Sequence, residues 1–317
     1  MKQNPYFFIV GCPRSGTTLL QRIVNAHSEI AVAPEIFWVT HFVNSRKGPN
    51  LDGPITNEIV SELTQHKRFA ELEVDPESFA ALLGDHESLP CWQFLNKVFE
   101  LYRKQQGKAI VGNKTPQYVQ NITAFHAHWP AAKFIHLIRD GRDVCLSILN
   151  WKKADRTAGR FATWSEDPVA TSALWWKRNV RLGREAGNLL DPKLYYEVRY
   201  ENIIQGSQVE CRKLCDFLEI SYDPAMVRHH EARPEEDLHP NAKSWAPIMA
   251  GLRDWRKQMS QEQIEKFEAA AGDLLSELGY QRAFLHPSDQ SRKHVSTIID
   301  RFTSDVLSTG KLLPVHW

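Results

Sequence analysis

Phe7-Phe8-Ile9-Val10-Gly11-Cys12-Pro13-Arg14-Ser15-Gly16-Thr17-Thr18-Leu19-Leu20 is the stretch whose reading decides the fold. An unbroken apolar run, residues 6–10, suits a central parallel strand buried on both faces. It ends in a small, polar loop. Leu19, Leu20, Ile23 and Val24 then repeat at helix spacing, predicting a helix over about 16–26. A strand, a glycine loop and a helix in this order present backbone N–H groups and a positive dipole end to a phosphate.

The same alternation continues along the chain. Ile30-Ala31-Val32-Ala33 reads as a second strand, closed by Pro34-Glu35. Residues 36–106 read as a mainly helical insertion on the substrate side, with an N-cap pattern at Asp75-Pro76. Strands follow at 108–112, 133–138 and 194–200, with helices at 118–128, 144–151, 168–186, 207–218 and 223–230. Residues 154–166 read as a polar loop, and 231–259 as irregular. Ser260 and Gln263 form a capping-box pattern opening an amphipathic helix to 278. The expectation is an α/β fold: three α/β/α layers around a central parallel sheet. One domain covers 1–285, and a tail, 286–317, carries one weak helix pattern.

Composition narrows the function classes. The 317 residues are 42% hydrophobic and 24% charged, ordinary for a globular protein, and the formal net charge is +1. Global charge therefore gives no argument for nucleic acid or an anionic membrane, and any anion must meet a local cluster. No apolar run approaches the about 18 residues of a membrane span. The N-terminal residues lead into the first strand without a signal-peptide pattern. The five cysteines, Cys12, Cys91, Cys145, Cys211 and Cys215, are scattered and odd in number, which reads as reduced thiols and a cytoplasmic location. The thirteen histidines show no ligand spacing, so no metal is expected.

The first loop keeps the glycine spacing of GxxxxGK[ST], but Thr17 stands where a Mg²⁺-ATP site needs Lys. Its cation comes earlier, at Arg14. Such a loop suits a single phosphate or sulfate group, held by the N–H groups of Ser15, Gly16, Thr17 and Thr18 and by the Arg14 guanidinium. A second anion site is written in Arg139-Asp140-Gly141-Arg142-Asp143, where a strand-end Arg and Ser147, two helical turns later, face one spot. Two anion loops at strand ends imply a ligand with two phosphate-like groups, bound outside the carboxyl ends of the strands. Glu35 and Lys114 lie at the same edge.

PRSGTTLL after an apolar strand resembles the 5′-phosphosulfate loop of the sulfotransferase family, which uses 3′-phosphoadenosine 5′-phosphosulfate (PAPS). Arg139 and Ser147 match the family's 3′-phosphate motif, an Arg and a Ser eight residues on. Cytosolic phenol and steroid sulfotransferases carry Lys-Thr-His in the stretch that reads Lys114-Thr115-Pro116 here, so their catalytic His is missing. The pattern is similar instead to tyrosylprotein, heparan-type and bacterial sulfotransferases, in which a Glu after the first helix and second strand is the base. Glu35 matches it. By this resemblance Glu35, Lys114 and Arg14 carry the chemistry, and Tyr200 lies near the adenine or packs on the core. Ser244 with Arg253 or Arg256 closes over the cofactor, although the family's Arg-Lys-Gly is absent from Ile248 to Arg256.

The implied reaction is sulfuryl transfer from PAPS, leaving 3′-phosphoadenosine 5′-phosphate (PAP), to an acceptor hydroxyl or amine. The acceptor is a small molecule, carbohydrate or peptide, and a homodimer is compatible with the chain. Two alternatives stand beside this: a P-loop nucleotide or small-molecule kinase, and a non-catalytic anion-binding module. Trp151, Trp164, Trp175 and Trp176 read equally as an acceptor pocket or as core.

Overall fold

A computed structural model describes residues 6–36, 38–39, 50–232, 245, 247–248 and 253–309. Its centre is a five-stranded sheet built from β1 (Tyr6–Gly11), β2 (Ile30–Ala33), β5 (Ile110–Lys114), β6 (Lys133–Ile138) and β7 (Tyr195–Arg199), in the order β2-β5-β1-β6-β7. Every pairing is parallel. Parallel pairing has one consequence that matters for function: all five carboxyl ends emerge at one edge. β1 is central, so its loop lies between the end of β5 and the end of β6.

The strands form here because their residues are apolar on both faces. Phe8 and Val10 point into one core, Phe7 and Ile9 into the other, and all four are buried. The first helix, α1 (Thr17–Asn25), packs Leu20, Ile23 and Val24 against the second of these layers. Its C-terminal carbonyl end is closed by Lys108, whose Nζ donates to the carbonyls of Asn25, His27 and Ile30 at 2.6, 3.0 and 2.9 Å. Lys108 is thereby a cap and not part of a strand. The strand expected over 108–112 is displaced to Ile110–Lys114, which brings Asn113 and Lys114 into register with Phe8 and Ile9.

The region between β2 and β5 holds α2 (Asn57–Gln65), α3 (Pro76–Ala80) and α4 (Cys91–Gln105), with a small antiparallel pair of β3 (Pro54–Thr56) and β4 (Ser88–Pro90). Asp75 caps α3, accepting from the Ser78 N–H at 2.7 Å. The helix expected over 118–128 is divided. Residues Pro116–Gln120 make a 3₁₀ turn, and α5 (Ile122–His128) starts only after Asn121, whose φ of −134° breaks the path. After β6 come α6 (Gly141–Leu149) and α7 (Pro168–Gly187), capped by Asp167. Residues 154–166, expected as an open polar loop, form short 3₁₀ turns that bury Thr157, Ala158, Phe161 and Thr163.

Helix α8 (Tyr200–Leu218) starts earlier than the sequence suggests, taking Tyr200 from the strand, and is kinked at Gly206. Two C-terminal helices follow a short turn of helix, α9 (Trp255–Gln258). These are α10 (Gln261–Glu277), with the expected capping box of Ser260 and Gln263, and α11 (Asp289–Thr309). The weak pattern of the tail proves to be a 21-residue helix. It buries Val295, Ile298 and Phe302 in a core shared with α6, α7 and α10, and the Phe302 and Phe161 ring centroids lie 4.4 Å apart. Trp175 and Trp176 belong to the same core.

Phe302→Ala should therefore destabilise the fold by about 3 kcal/mol, as a buried aromatic truncation does. Urea unfolding measures it; a midpoint equal to the parent's would mean that the helix contributes no packing.

Candidate active site

Both anion loops and both strand-end groups meet at the carboxyl edge. In the first loop, the sharp turn is taken by Arg14 and Gly16, with φ of 76° and 103°. A glycine is required at 16 for two reasons: the left-handed φ, and the Tyr200 ring, which a Cβ would approach to 2.6 Å. Gly11 is required by proximity, since a Cβ there would lie 2.5 Å from the Leu137 carbonyl oxygen. The Ser15 N–H is spent inside the loop on the Cys12 carbonyl, at 3.1 Å. The expected cradle of four N–H groups is thus reduced to three. Those of Gly16, Thr17 and Thr18 open the helix with no backbone partner among the described residues. The Ser15 hydroxyl is buried and has no hydrogen-bond partner among the described residues.

Arg14 joins the two loops. Its Nε donates to Ser147 Oγ at 3.1 Å, and its guanidinium lies 4.5 Å from the centre of the Trp151 ring. Burial lowers its pKa, and Arg253 and Arg139 push in the same direction, against Glu35. Trp151 was one of four tryptophans left open by the sequence. It lies against Arg14 of the first loop, whereas Trp175 and Trp176 are core, with Trp176 Nε1 donating to the Arg139 carbonyl at 3.1 Å.

The second loop gathers around Arg139, which is buried. Its guanidinium lies over the Tyr200 ring at 4.1 Å, and Nη2 sits 3.4 Å from Asp143 Oδ2. Its Nε is buried without a partner among the described residues. Tyr200 is thus held between Gly16 and Arg139, at the junction of the loops, with its pKa raised chiefly by burial. Arg253 reaches the same place: Arg139, Asp143 and Tyr200 all act on its charge, and burial lowers its pKa. Arg256, the other basic candidate in that segment, is exposed and stacks on Trp255. Ser244 lies outside the described residues.

Glu35 and Lys114 are paired. Lys114 Nζ is 2.7 Å from Glu35 Oε1, with the Lys side chain buried and the carboxylate 37% exposed. Asn113 holds them together, its Nδ2 donating to the carbonyls of Ala33 and Pro34 at 3.3 and 2.7 Å. That clamp fixes the exit of β2 against β5 one residue before each functional side chain. A half-exposed carboxylate beside a buried cation is suited to take a proton from a group arriving through solvent, while the cation serves charge on the inner side.

The residues that bind these loops from outside were not visible as a site in the sequence. Arg142 is fully buried. It forks onto Asp140, with Nε–Oδ1 at 3.0 Å and Nη2–Oδ2 at 2.7 Å, and reaches Glu268 Oε1 with Nη1 at 2.6 Å. Asp140 and Asp143 look like helix-start carboxylates favoured by the dipole; in the fold they are also anchors for the C-terminal segment. Trp255 donates from Nε1 to Asp140 at 3.1 Å and from its backbone N–H to Asp143 at 3.0 Å. The RDGRD run carried the signal, two carboxylates and a second Arg, but nothing in it names Glu268.

Both loops thus contain a buried donor with no partner among the described residues, Ser15 Oγ in one and Arg139 Nε in the other. Buried polar groups are ordinarily satisfied, so a bound phosphate at each is consistent with these residues. Asp143 contacts Arg139 there, and burial lifts its pKa to about 6, against the pull of Arg139. A folded-state value above the unfolded one means that this group favours the fold most below about pH 4 and loses that contribution as pH rises through 6. Asp143→Asn should make stability flatter between pH 4 and 7 in urea titrations; a profile parallel to the parent's would contradict this.

Residues 5–224 match the sequence profile of the sulfotransferase family. A curated relative, a putative protein-tyrosine sulfotransferase of Caenorhabditis briggsae, is 25% identical over 88% of this chain and 90% of its own length. Nodulation protein NoeE of Sinorhizobium fredii is 24% identical over 89% of this chain and 67% of its length. Among solved structures, the sulfotransferase domain of the Synechococcus PCC 7002 olefin synthase superposes with a TM-score of 0.64 at 20% identity, covering 89% of this chain and 97% of that one. The nucleotide-kinase alternative is set aside by the profile match, which spans both anion loops, Glu35 and Lys114: the chain belongs to the sulfotransferase family.

Proposed function

We propose that this sulfotransferase takes its sulfuryl group from PAPS and that Glu35 is the general base. The observation that carries the reading is the Glu35–Lys114 pair, 2.7 Å apart at the strand edge beside the Arg14 loop. When bound, the donor supplies an activated sulfuryl group ending in a good leaving phosphate. Glu35 takes the proton of the acceptor hydroxyl or amine as the acceptor–sulfur bond forms and the bond from sulfur to the 5′-phosphate oxygen breaks. Lys114, Arg14 and the N–H groups of Gly16, Thr17 and Thr18 balance the charge that moves onto the departing phosphate. Arg139 and Ser147 orient the 3′-phosphate, with Tyr200 at the junction.

The Lys114 contact has a mechanistic consequence. A carboxylate held by an ammonium is a weaker base, so Lys114 must transfer its interaction from Glu35 to the sulfuryl or phosphate oxygens before Glu35 acts at full strength. Charge balance makes that exchange favourable once an anion occupies the Arg14 loop. Its role ties the base to the presence of donor and guards against proton uptake without it.

The acceptor class remains that of the sequence reading: a small molecule, carbohydrate or peptide. Among the described residues no helix is long and apolar enough to cross a membrane. The cytoplasmic reading is supported by the five cysteines, all buried as free thiols.

Glu35→Ala should lower turnover by about 10²–10⁴-fold, the range of a lost general base, while PAP still binds. Turnover that survives the substitution would remove Glu35 from this role. Arg139→Ala should weaken PAP by about tenfold or more, the cost of a lost charge-assisted contact. Calorimetry decides, and unchanged affinity would place the 3′-phosphate elsewhere.

A further inference from the structure

Glu268 is 126 residues along the chain from Arg142, yet both side chains are fully buried and 2.6 Å apart. Glu268 also accepts from the backbone N–H groups of Ala283 at 3.0 Å and Phe284 at 2.7 Å. Arg142 completes its set with the Asp140 fork and lies 3.6 Å from the centre of the Trp255 ring. A second tie runs beside the first. The Asp140 N–H donates to Glu201 Oε1 at 2.9 Å, and Glu201 Oε2 accepts from the Tyr280 hydroxyl at 3.0 Å. Asp140 is therefore held at its backbone by Glu201 of α8 and at its carboxylate by Arg142 and by Trp255 of α9, with Glu268 of α10 behind Arg142 and Tyr280 behind Glu201.

Such a network is poor evidence of stability. Desolvating buried charges consumes most of what their attraction returns, and apolar replacements are often as stable. What it does supply is position. Asp140 is the covalent neighbour of Arg139 and caps the helix that carries Ser147, accepting from the Arg142 N–H at 3.0 Å. The Arg139 carbonyl is itself fixed, accepting from Trp176 Nε1 at 3.1 Å. Among the described residues neither Glu268 nor the Arg142 side chain hydrogen-bonds Arg139 or Ser147, so their influence passes through Asp140 and, by way of Trp255, through Asp143.

We propose that Glu268, acting through Arg142 and Asp140, is a positioning residue for the arm that selects nucleotides bearing a 3′-phosphate. This rests on the reading of Arg139 and Ser147 as that arm. It makes the C-terminal helices, which lie beyond the matched 5–224 region, a determinant of donor selectivity. Glu268→Gln keeps the shape and removes the charge opposite Arg142. A fault confined to Arg139 and Ser147 shows up only with ligands that carry the 3′-phosphate, whereas general loosening weakens every nucleotide alike.

The test is the affinity of the full chain for PAP and for adenosine 5′-phosphate, which lacks the 3′ group, with parent and Glu268→Gln compared by calorimetry. The expected result is a loss of about tenfold for PAP and less than about twofold for adenosine 5′-phosphate, in line with couplings carried through buried networks. Equal losses for both, or no loss for either, overturn the positioning role. A parent protein that binds the two nucleotides equally well overturns the reading of the arm itself. Should Glu268→Gln fail to fold, Arg142→Lys keeps the charge opposite Glu268 but loses the fork onto Asp140 and should show the same selective loss for PAP; its absence counts equally against the proposal.

Discussion

Crowding of positive charge at one edge of a parallel sheet is the constraint on which the structure turns. Arg139 and Arg253 both push down the pKa of Arg14, and Arg139 pushes down that of Arg253, with Lys114 at the end of the neighbouring strand. Like charges in partly buried positions oppose folding and each other. Few carboxylates offset them locally: Glu35 holds Lys114, and Asp143 holds Arg139 at a long 3.4 Å. The arrangement is what a doubly anionic ligand requires, and the protein must hold it ready before that ligand arrives. Preorganisation of this kind avoids reorganisation during the reaction.

The protein meets the constraint by tying the cationic loops to rigid elements through neutral or internally balanced contacts. Asn113 clamps the β2 exit through two backbone carbonyls and adds no charge. The Arg14–Ser147 hydrogen bond links the two loops through a hydroxyl. Aromatic faces do the remainder. Trp151 lies under Arg14 and Tyr200 under Arg139, giving each guanidinium a polarisable surface that needs no counter-ion. Carboxylates placed there instead would compete with the phosphates. The strongly paired carboxylates, Asp140 and Glu268, are kept behind the loop on Arg142.

What the sequence disclosed follows from the range of the interactions involved. β1, the Arg14–Thr18 loop and α1 form a local unit, and local patterns identify it: an apolar run, two glycines at fixed spacing, a helix period. Ile30–Ala33 and Lys133–Ile138 were readable with their ends for the same reason. Lys108 was misplaced because a lysine beside an apolar run reads as its polar end, and only the fold brings the carbonyls of residues 25, 27 and 30 to it. Tyr200 looked like the last residue of a strand because its neighbours alternate; its contacts with Gly16 and Arg139 come from two other loops. The C-terminal helix was faint because its apolar stripe, Val295, Ile298, Ile299, Phe302 and Val306, is narrow and set among polar residues. Glu268 was illegible altogether, since a lone glutamate on an amphipathic helix carries no mark of the arginine it will meet.

On the proposed reading Glu35 is the base, and its pairing with Lys114 decides when it acts. A base free of its ammonium would be stronger, and it would also draw protons or adventitious cations in the absence of donor. Held at 2.7 Å, the carboxylate is aligned against the ammonium, which on that reading must change partners before Glu35 acts. The buried lysine has few places to turn; the Arg14 loop beside it is the one that gains negative charge when a phosphosulfate binds. Donor binding and base activation are then a single electrostatic event, in which one ammonium changes partners. That order favours donor before acceptor chemistry without a separate gate, because the carboxylate that must accept the acceptor's proton is the one that the donor's charge sets free.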